Sequence, residues 1–156
     1  MKLYLSVLLL SLSSLIWAEG PLTSQMETFL VTEKGGKETV VATEQASPGD
    51  VVEYRLTYRN TGEQPLSGLV ITGPVPANTA YVGGSANTEV DASFTVSIDN
   101  GTSFLAEPVT REVKDADGQS KNVTVPPSDY TQVRWQPNGS LKPDQEQQYR
   151  YRVKVQ

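Results

Sequence analysis

The side chains that most often carry catalysis and metal binding are missing from this 156-residue sequence, which has no His and no Cys. Their absence removes the imidazole general base and metal ligand. It also removes Ser-His and thiolate nucleophile arrangements and the ordinary structural zinc sites. Carboxylates, guanidinium groups, hydroxyls and amides remain, and no local motif of paired carboxylates or of Ser-Lys type appears among them. The sequence therefore reads as a non-catalytic protein with no cofactor. Asp115-Ala116-Asp117-Gly118 opens like a calcium loop. That template demands a Glu at the twelfth position, and counting from Asp115 the twelfth residue is Pro126. The segment reads instead as an Asx-rich β-turn. Asp99-Asn100-Gly101 reads as a hairpin turn with Gly in the left-handed region.

The cations offer more. Arg150, Arg152 and Lys154 alternate with Tyr149, Tyr151, Val153 and Val155. On a strand this spacing puts the three cations on one face and the apolar set on the other. Arg134 takes the same position beside Val133 and Trp135. If the last two strands are antiparallel neighbours, as in an immunoglobulin-like sheet, Arg134, Arg150, Arg152 and Lys154 form one basic patch. Such a patch either receives an anionic partner surface or polysaccharide, or pairs with Asp and Glu of an adjacent strand. Trp135 and Tyr54, Tyr58, Tyr149 and Tyr151 stand at alternating positions beside aliphatics, which makes them core residues rather than a ligand platform. Asn100, Asn122 and Asn138 each begin an Asn-x-Ser/Thr sequence, a chance match in a bacterial host.

The elements that must position these residues are strands. In Asp50–Asn60, Val52, Tyr54, Leu56 and Tyr58 point one way and Glu53, Arg55, Thr57 and Arg59 the other, a two-sided pattern that fits antiparallel sheets. Strands are expected at 27–32, 38–45, 51–60, 66–72, 79–83, 93–99, 104–113, 130–136 and 146–155. Ser47-Pro48-Gly49-Asp50 suits a type II turn, and Asn60-Thr61-Gly62 and Pro126-Pro127 punctuate the chain. No stretch of ten or more residues has helical periodicity. The expected fold class is all-β, an immunoglobulin-like antiparallel β-sandwich over residues 27–156.

Ahead of it, Met1-Lys2, an apolar run from Leu3 to Leu15 and Ile16-Trp17-Ala18 have the order of a secretory signal peptide at 1–18. The run is shorter than the roughly 20 apolar residues that cross a bilayer. Residues 19–26 read as a flexible lead. Lys2 is the one charged residue among the first 18. The remaining 138 residues thus carry 12 Lys and Arg against 18 Asp and Glu, a net charge of -6. That balance speaks against nucleic acid, whose phosphates demand neutralisation, and no second apolar segment suggests a membrane span. An exported domain without Cys must rest on packing and sheet hydrogen bonds alone.

Ala46-Ser47-Pro48-Gly49-Asp50-Val51-Val52-Glu53-Tyr54 runs on through Leu56-Thr57-Tyr58-Arg59-Asn60-Thr61-Gly62, then Leu69-Val70-Ile71-Thr72 and Val75-Pro76-Ala77-Asn78-Thr79-Ala80-Tyr81-Val82. This resembles the bacterial conserved-repeat domain known as domain of unknown function eleven. The likeness covers residues 40–85, with a looser echo at 130–155. Val75 and Asn78 stand where the family often has Leu and Gly, and Asn tolerates the left-handed turn position. Asp144 follows Pro143 where a Gly is common, so a type I turn is expected there. The resemblance implies an immunoglobulin-like sandwich on an exported periplasmic, cell-surface or secreted protein, and implies no activity. The expected function is a structural or protein-interaction module with an envelope protein as partner; the alternative is a glycan- or anionic-polymer-binding module.

Overall fold

The computed structural model describes residues 20–156; the leader expected at 1–18 lies outside them. The chain is all-β and builds a sandwich of two antiparallel sheets with a separate ribbon. The strands are β1 (Leu22–Lys34), β2 (Lys37–Ala42), β3 (Val51–Asn60), β4 (Ile71–Pro74), β5 (Thr79–Tyr81), β6 (Asn87–Thr88), β7 (Ala92–Ser97), β8 (Thr110–Lys114), β9 (Ser120–Thr124), β10 (Gln132–Pro137) and β11 (Glu146–Val155). The larger sheet runs β2-β1-β3-β11-β5, with β6 also paired to β11; the smaller runs β4-β10-β7; β8 and β9 pair with each other.

Alternation decides which faces meet. Val52 and Leu56 of β3 and Tyr149, Tyr151 and Val153 of β11 are buried against Ile71, Val96, Val133 and Trp135 of the smaller sheet. Trp135 is the centre of the contact. Its ring lies 5.6 Å from that of Tyr149, 6.0 Å from Tyr151 and 5.3 Å from Phe94, separations at which tilted aromatic rings attract. The Tyr151 hydroxyl donates across the sandwich to the Pro74 carbonyl at 2.5 Å. Burial drives the Tyr151 phenol far above its ordinary range and Tyr149 up to about 12.

Turn chemistry follows the sequence closely. Gly49 has φ 93° and Asp50 N–H donates to Ser47 O at 3.0 Å, as a type II turn requires. Asn78 takes φ 62° and Thr79 N–H reaches Pro76 O, so Asn fills the left-handed position usually given to Gly. Asp144 corrects an expectation. It has φ 60°, with Gln145 N–H on Lys142 O at 3.0 Å, which makes the Pro143-Asp144 turn type II rather than type I.

Other corrections have visible causes. Residues 22–26 of the expected flexible lead belong to β1, where Leu22 to Met26 pair with Asn60 to Leu56; their polar, non-alternating sequence hides a strand that shields one side of β3. The strand expected at 66–72 is cut by Gly68 at φ 69°. Leu66 keeps a single bridge to Leu141, and the ladder starts at Ile71. The strand expected at 104–113 is likewise divided, with Leu105 bridging Val96 and β8 starting only after Pro108. β9 had no expected counterpart.

Gly73 faces the Tyr151 ring so closely that a Cβ there would sit 2.5 Å from a ring carbon. Gly73→Ala is expected to destabilise the fold by about 1–3 kcal/mol through overpacking, read from urea unfolding, and trimming the ring with Tyr151→Leu in the same chain should recover part of that loss.

Candidate functional site

The four cations do not share a face. β10 is flanked on both edges, by β4 and β7, while β11 lies between β3 and the short β5 and β6. The last two strands therefore belong to different sheets, and the expected patch divides. Arg134 points out of the smaller sheet. Its guanidinium carbon sits 3.3 Å above the Phe104 ring, and its Nε donates to Thr72 Oγ1 at 3.4 Å. Arg150, Arg152 and Lys154 occupy the outer face of the larger sheet, as expected.

On that face, neighbouring carboxylates occupy Arg152. Register sets Arg152 directly opposite Glu53 of β3. Its Nε and Nη2 reach Glu53 Oε2 at 3.0 and 2.9 Å. Nη1 and Nη2 take the two oxygens of Glu38 on β2 at 2.8 and 2.7 Å, a bidentate fork. Glu53, although charged, is only 4% exposed. Its other oxygen accepts from Arg55 Nε at 2.7 Å, and the Arg55 guanidinium lies 4.0 Å over Phe29. The Glu38 hydrogen bonds raise the Arg152 pKa above its already high range, and Arg152 in turn lowers that of Glu38. This is a network spanning β2, β3 and β11 that fastens three strands of one sheet. Sequence reasoning passed over Glu38 and Glu53; only the register between distant strands names them as partners.

Arg150 donates Nη2 to Asn87 Oδ1 at 2.9 Å, and Lys154 is exposed. Arg150 and Arg152 flank an open depression of about 470 Å³ with Gly83, Gly84, Ser85 and Asn87 on its other wall. The aromatic side chains are core, as expected. Trp135, Tyr149 and Tyr151 are buried, and Tyr54 and Tyr58 are half-buried. Every Phe, Tyr and Trp among the described residues is at least half-buried.

The two acidic loops are closed by their own backbone. Asp115 Oδ1 accepts the N–H groups of Asp117 and Gln119 at 3.0 and 2.9 Å, and Gly118 takes φ 76°. That is the Asx-turn of the β8–β9 hairpin. Asp99 accepts from Ser97 Oγ at 2.7 Å, from Ser103 N–H at 2.9 Å and from Ser103 Oγ at 2.6 Å.

The feature that sequence reasoning could not rank is an edge. Among the described residues β2 pairs with β1 alone. Thr43 N–H donates to Thr28 O at 3.0 Å, so by strand alternation the backbone of Lys37, Thr39 and Val41 faces β1 and that of Glu38, Val40 and Ala42 faces outward. Those outward N–H and C=O groups form an open template. Beside them, Val41 is 62% and Met26 43% exposed, because the smaller sheet has three strands and does not reach under β1 and β2 of the larger.

Comparison with family models, with curated proteins and with solved structures finds no match for this chain. Among the described residues no helix is long and apolar enough to cross a membrane.

Arg152→Ala is expected to cost about 2–3 kcal/mol, less than the full penalty for breaking a buried ion pair because Arg55 still holds Glu53. Glu38→Gln, which alters the exposed end of the same network, should leave the urea midpoint close to wild type. The hydroxyl and N–H of Ser103 lower the Asp99 pKa from 3.8 to about 2. A depressed carboxylate contributes stability above its unfolded pKa and loses it as pH falls through the folded value. The stability difference between wild type and Asp99→Asn, measured by thermal melts, should therefore be full above pH 3.8 and shrink toward about 2.

Proposed function

We propose that this chain is a non-catalytic, exported module of the bacterial envelope or cell surface that binds a protein partner, and that its binding element is the outer edge of β2. The reading places the chain near the conserved-repeat family it resembles, with an immunoglobulin-like sandwich as the carrier and residues 1–18 as the export signal.

The single observation that supports it most is the unpaired edge. Edge strands in soluble proteins are usually guarded by Pro, by a bulge or by a charge turned inward. From Thr39 to Ala42, β2 carries none of the three: the sequence is Thr-Val-Val-Ala and the pairing with β1 is unbroken from Lys37 to Ala42. Addition of an extended segment to such an edge gives affinity through main-chain hydrogen bonds and specificity through alternate side chains. The β8–β9 ribbon adds a second projecting surface. Among the described residues it pairs with neither sheet, and it is rooted where Val109 and Val125, both buried, share a 2.8 Å hydrogen bond. A two-stranded ribbon has little stability of its own in water.

Less supports the glycan alternative. Sugar stacking needs exposed aromatic faces; most aromatics of the described residues are turned into the core, and Phe29 and Phe104, which are not, are covered by Arg55 and Arg134. The arginines that would receive an anionic polymer are largely engaged, Arg152 by two carboxylates and Arg134 by Phe104.

A proline at the edge separates binding from folding. Val40→Pro removes an outward N–H and no ladder bond, a position where edge strands accept proline, so its unfolding midpoint should stay near wild type. Val41→Pro removes a bond to β1 and should lower it clearly. In affinity purification from envelope extract, a partner held by wild type should be lost with Val40→Pro and kept with Arg134→Ala. Equal capture by wild type and Val40→Pro, or binding to a glycan array without any protein partner, contradicts the proposal.

A further inference from the structure

Two of the exposed asparagines are followed by glycine, Asn100-Gly101 and Asn138-Gly139. In this dipeptide the glycine nitrogen can attack the asparagine side-chain carbonyl, since no side chain on the glycine shields it. The new N–C bond closes a succinimide ring. The carboxamide C–N bond breaks, and ammonia leaves with the proton from the glycine nitrogen. Water then opens the ring to aspartate or isoaspartate. Nothing is oxidised or reduced, and water is the one co-reactant.

The fold treats the two sites differently. Asn100 and Gly101 form the tip of a hairpin, both left-handed at φ 56° and 85°, with Thr102 N–H closing the turn on Asp99 O at 3.3 Å. The nitrogen that would attack is held, because Gly101 N–H donates to Ser97 Oγ at 2.8 Å and Ser97 is buried. Space is short as well: a Cβ on Gly101 would lie 2.7 Å from the Gln132 side chain. Asn100 N–H is fixed in turn by Thr131 Oγ1 at 3.0 Å. Ring closure there must first break the turn.

Asn138 follows β10 in an open bend. Its own N–H donates to Asp91 O at 2.9 Å, but Gly139 N–H donates to no group of the described residues. Nothing lies within 4 Å of where a Gly139 Cβ would be, so no packed neighbour crowds the glycine beside Asn138. Both residues are exposed.

We propose that Asn138 is a spontaneous deamidation site of the folded protein and that the Ser97 hydroxyl protects Asn100 from the same reaction. Each event adds a negative charge to an already acidic surface. In the isoaspartate product it also lengthens the backbone by one methylene between β10 and the buried Leu141. The site ages independently of any partner at β2.

The test is peptide mapping by mass spectrometry after storage of the purified mature protein in mildly alkaline buffer, with and without urea. In the folded protein Asn138 should convert about tenfold faster than Asn100, the scale of one hydrogen bond that has to be given up. In urea the two should convert alike. Ser97→Ala should speed Asn100 and leave Asn138 unchanged, and Gly139→Ala, for which there is space, should slow Asn138. The idea fails if Asn100 keeps pace with Asn138 in the folded state. It also fails if Asn138 stays intact under conditions in which urea-unfolded Asn100 reacts.

Discussion

The contact between Trp135 and the tyrosine pair Tyr149 and Tyr151 is the interaction on which the rest of this structure depends. With no Cys in the chain, no cross-link limits the unfolded ensemble, and the two sheets stay together through what they bury between them. Each large aromatic side chain removes on the order of 150–250 Å² from water. Here they come from opposite sheets, so the gain cannot be made within either sheet alone. The Tyr151 hydroxyl reaching Pro74 O, and the buried Asn60 amide donating to Leu141 O at 2.9 Å, add direction to an otherwise non-directional force. Gly73 is small because the Tyr151 ring lies against it. Among the described residues no buried side-chain polar atom is left without a partner, so no core side chain costs stability through an unmet donor or acceptor.

Where local chemistry determines the outcome, the sequence is a sufficient guide. β3 and β11 keep the expected boundaries of 51–60 and 146–155, because period-two alternation is a property of the strand itself. Pro48-Gly49, Asn78 and Asp115–Gly118 turn as their residue types require. Pairing between distant strands is another matter. Nothing in Tyr149–Val155 says whether its neighbour is β3 or β10. The alternation is the same either way, and only the sandwich as a whole decides. That one undetermined choice moved Arg134 to the opposite side of the molecule. It also concealed the Glu53–Arg152–Glu38 network, whose members are separated by 99 and 114 residues.

That network explains a feature composition alone would call unfavourable. Glu53 is a buried carboxylate, and burial without partners is costly. Two guanidinium groups contact it, so the penalty is offset within the sheet. The same arginine reaches Glu38 and so ties the edge hairpin to the sheet centre. Cations that resemble a binding patch on a single strand thus act chiefly as cross-strand links. Arg55 and Arg150, directly opposite in register, are kept from repelling by turning toward Glu53 and Asn87 respectively.

An open edge raises the question of why copies of the chain would not pair with one another. An antiparallel meeting must set outward residues against outward residues, which within the strand restricts the choices to Glu38, Val40 and Ala42. Centred on Val40, self-pairing sets each Glu38 opposite Ala42 of the other copy. Shifted by two residues toward the start of the strand, it makes the two Glu38 side chains diagonal neighbours, and like charges in that relation disfavour the pair. Arg152 offsets part of that charge, so the deterrent is local, and the Thr-Val-Val-Ala centre of the edge stays available to an extended segment that places no acid beside Glu38. Under the proposed function, that single carboxylate narrows the registers open to a second copy.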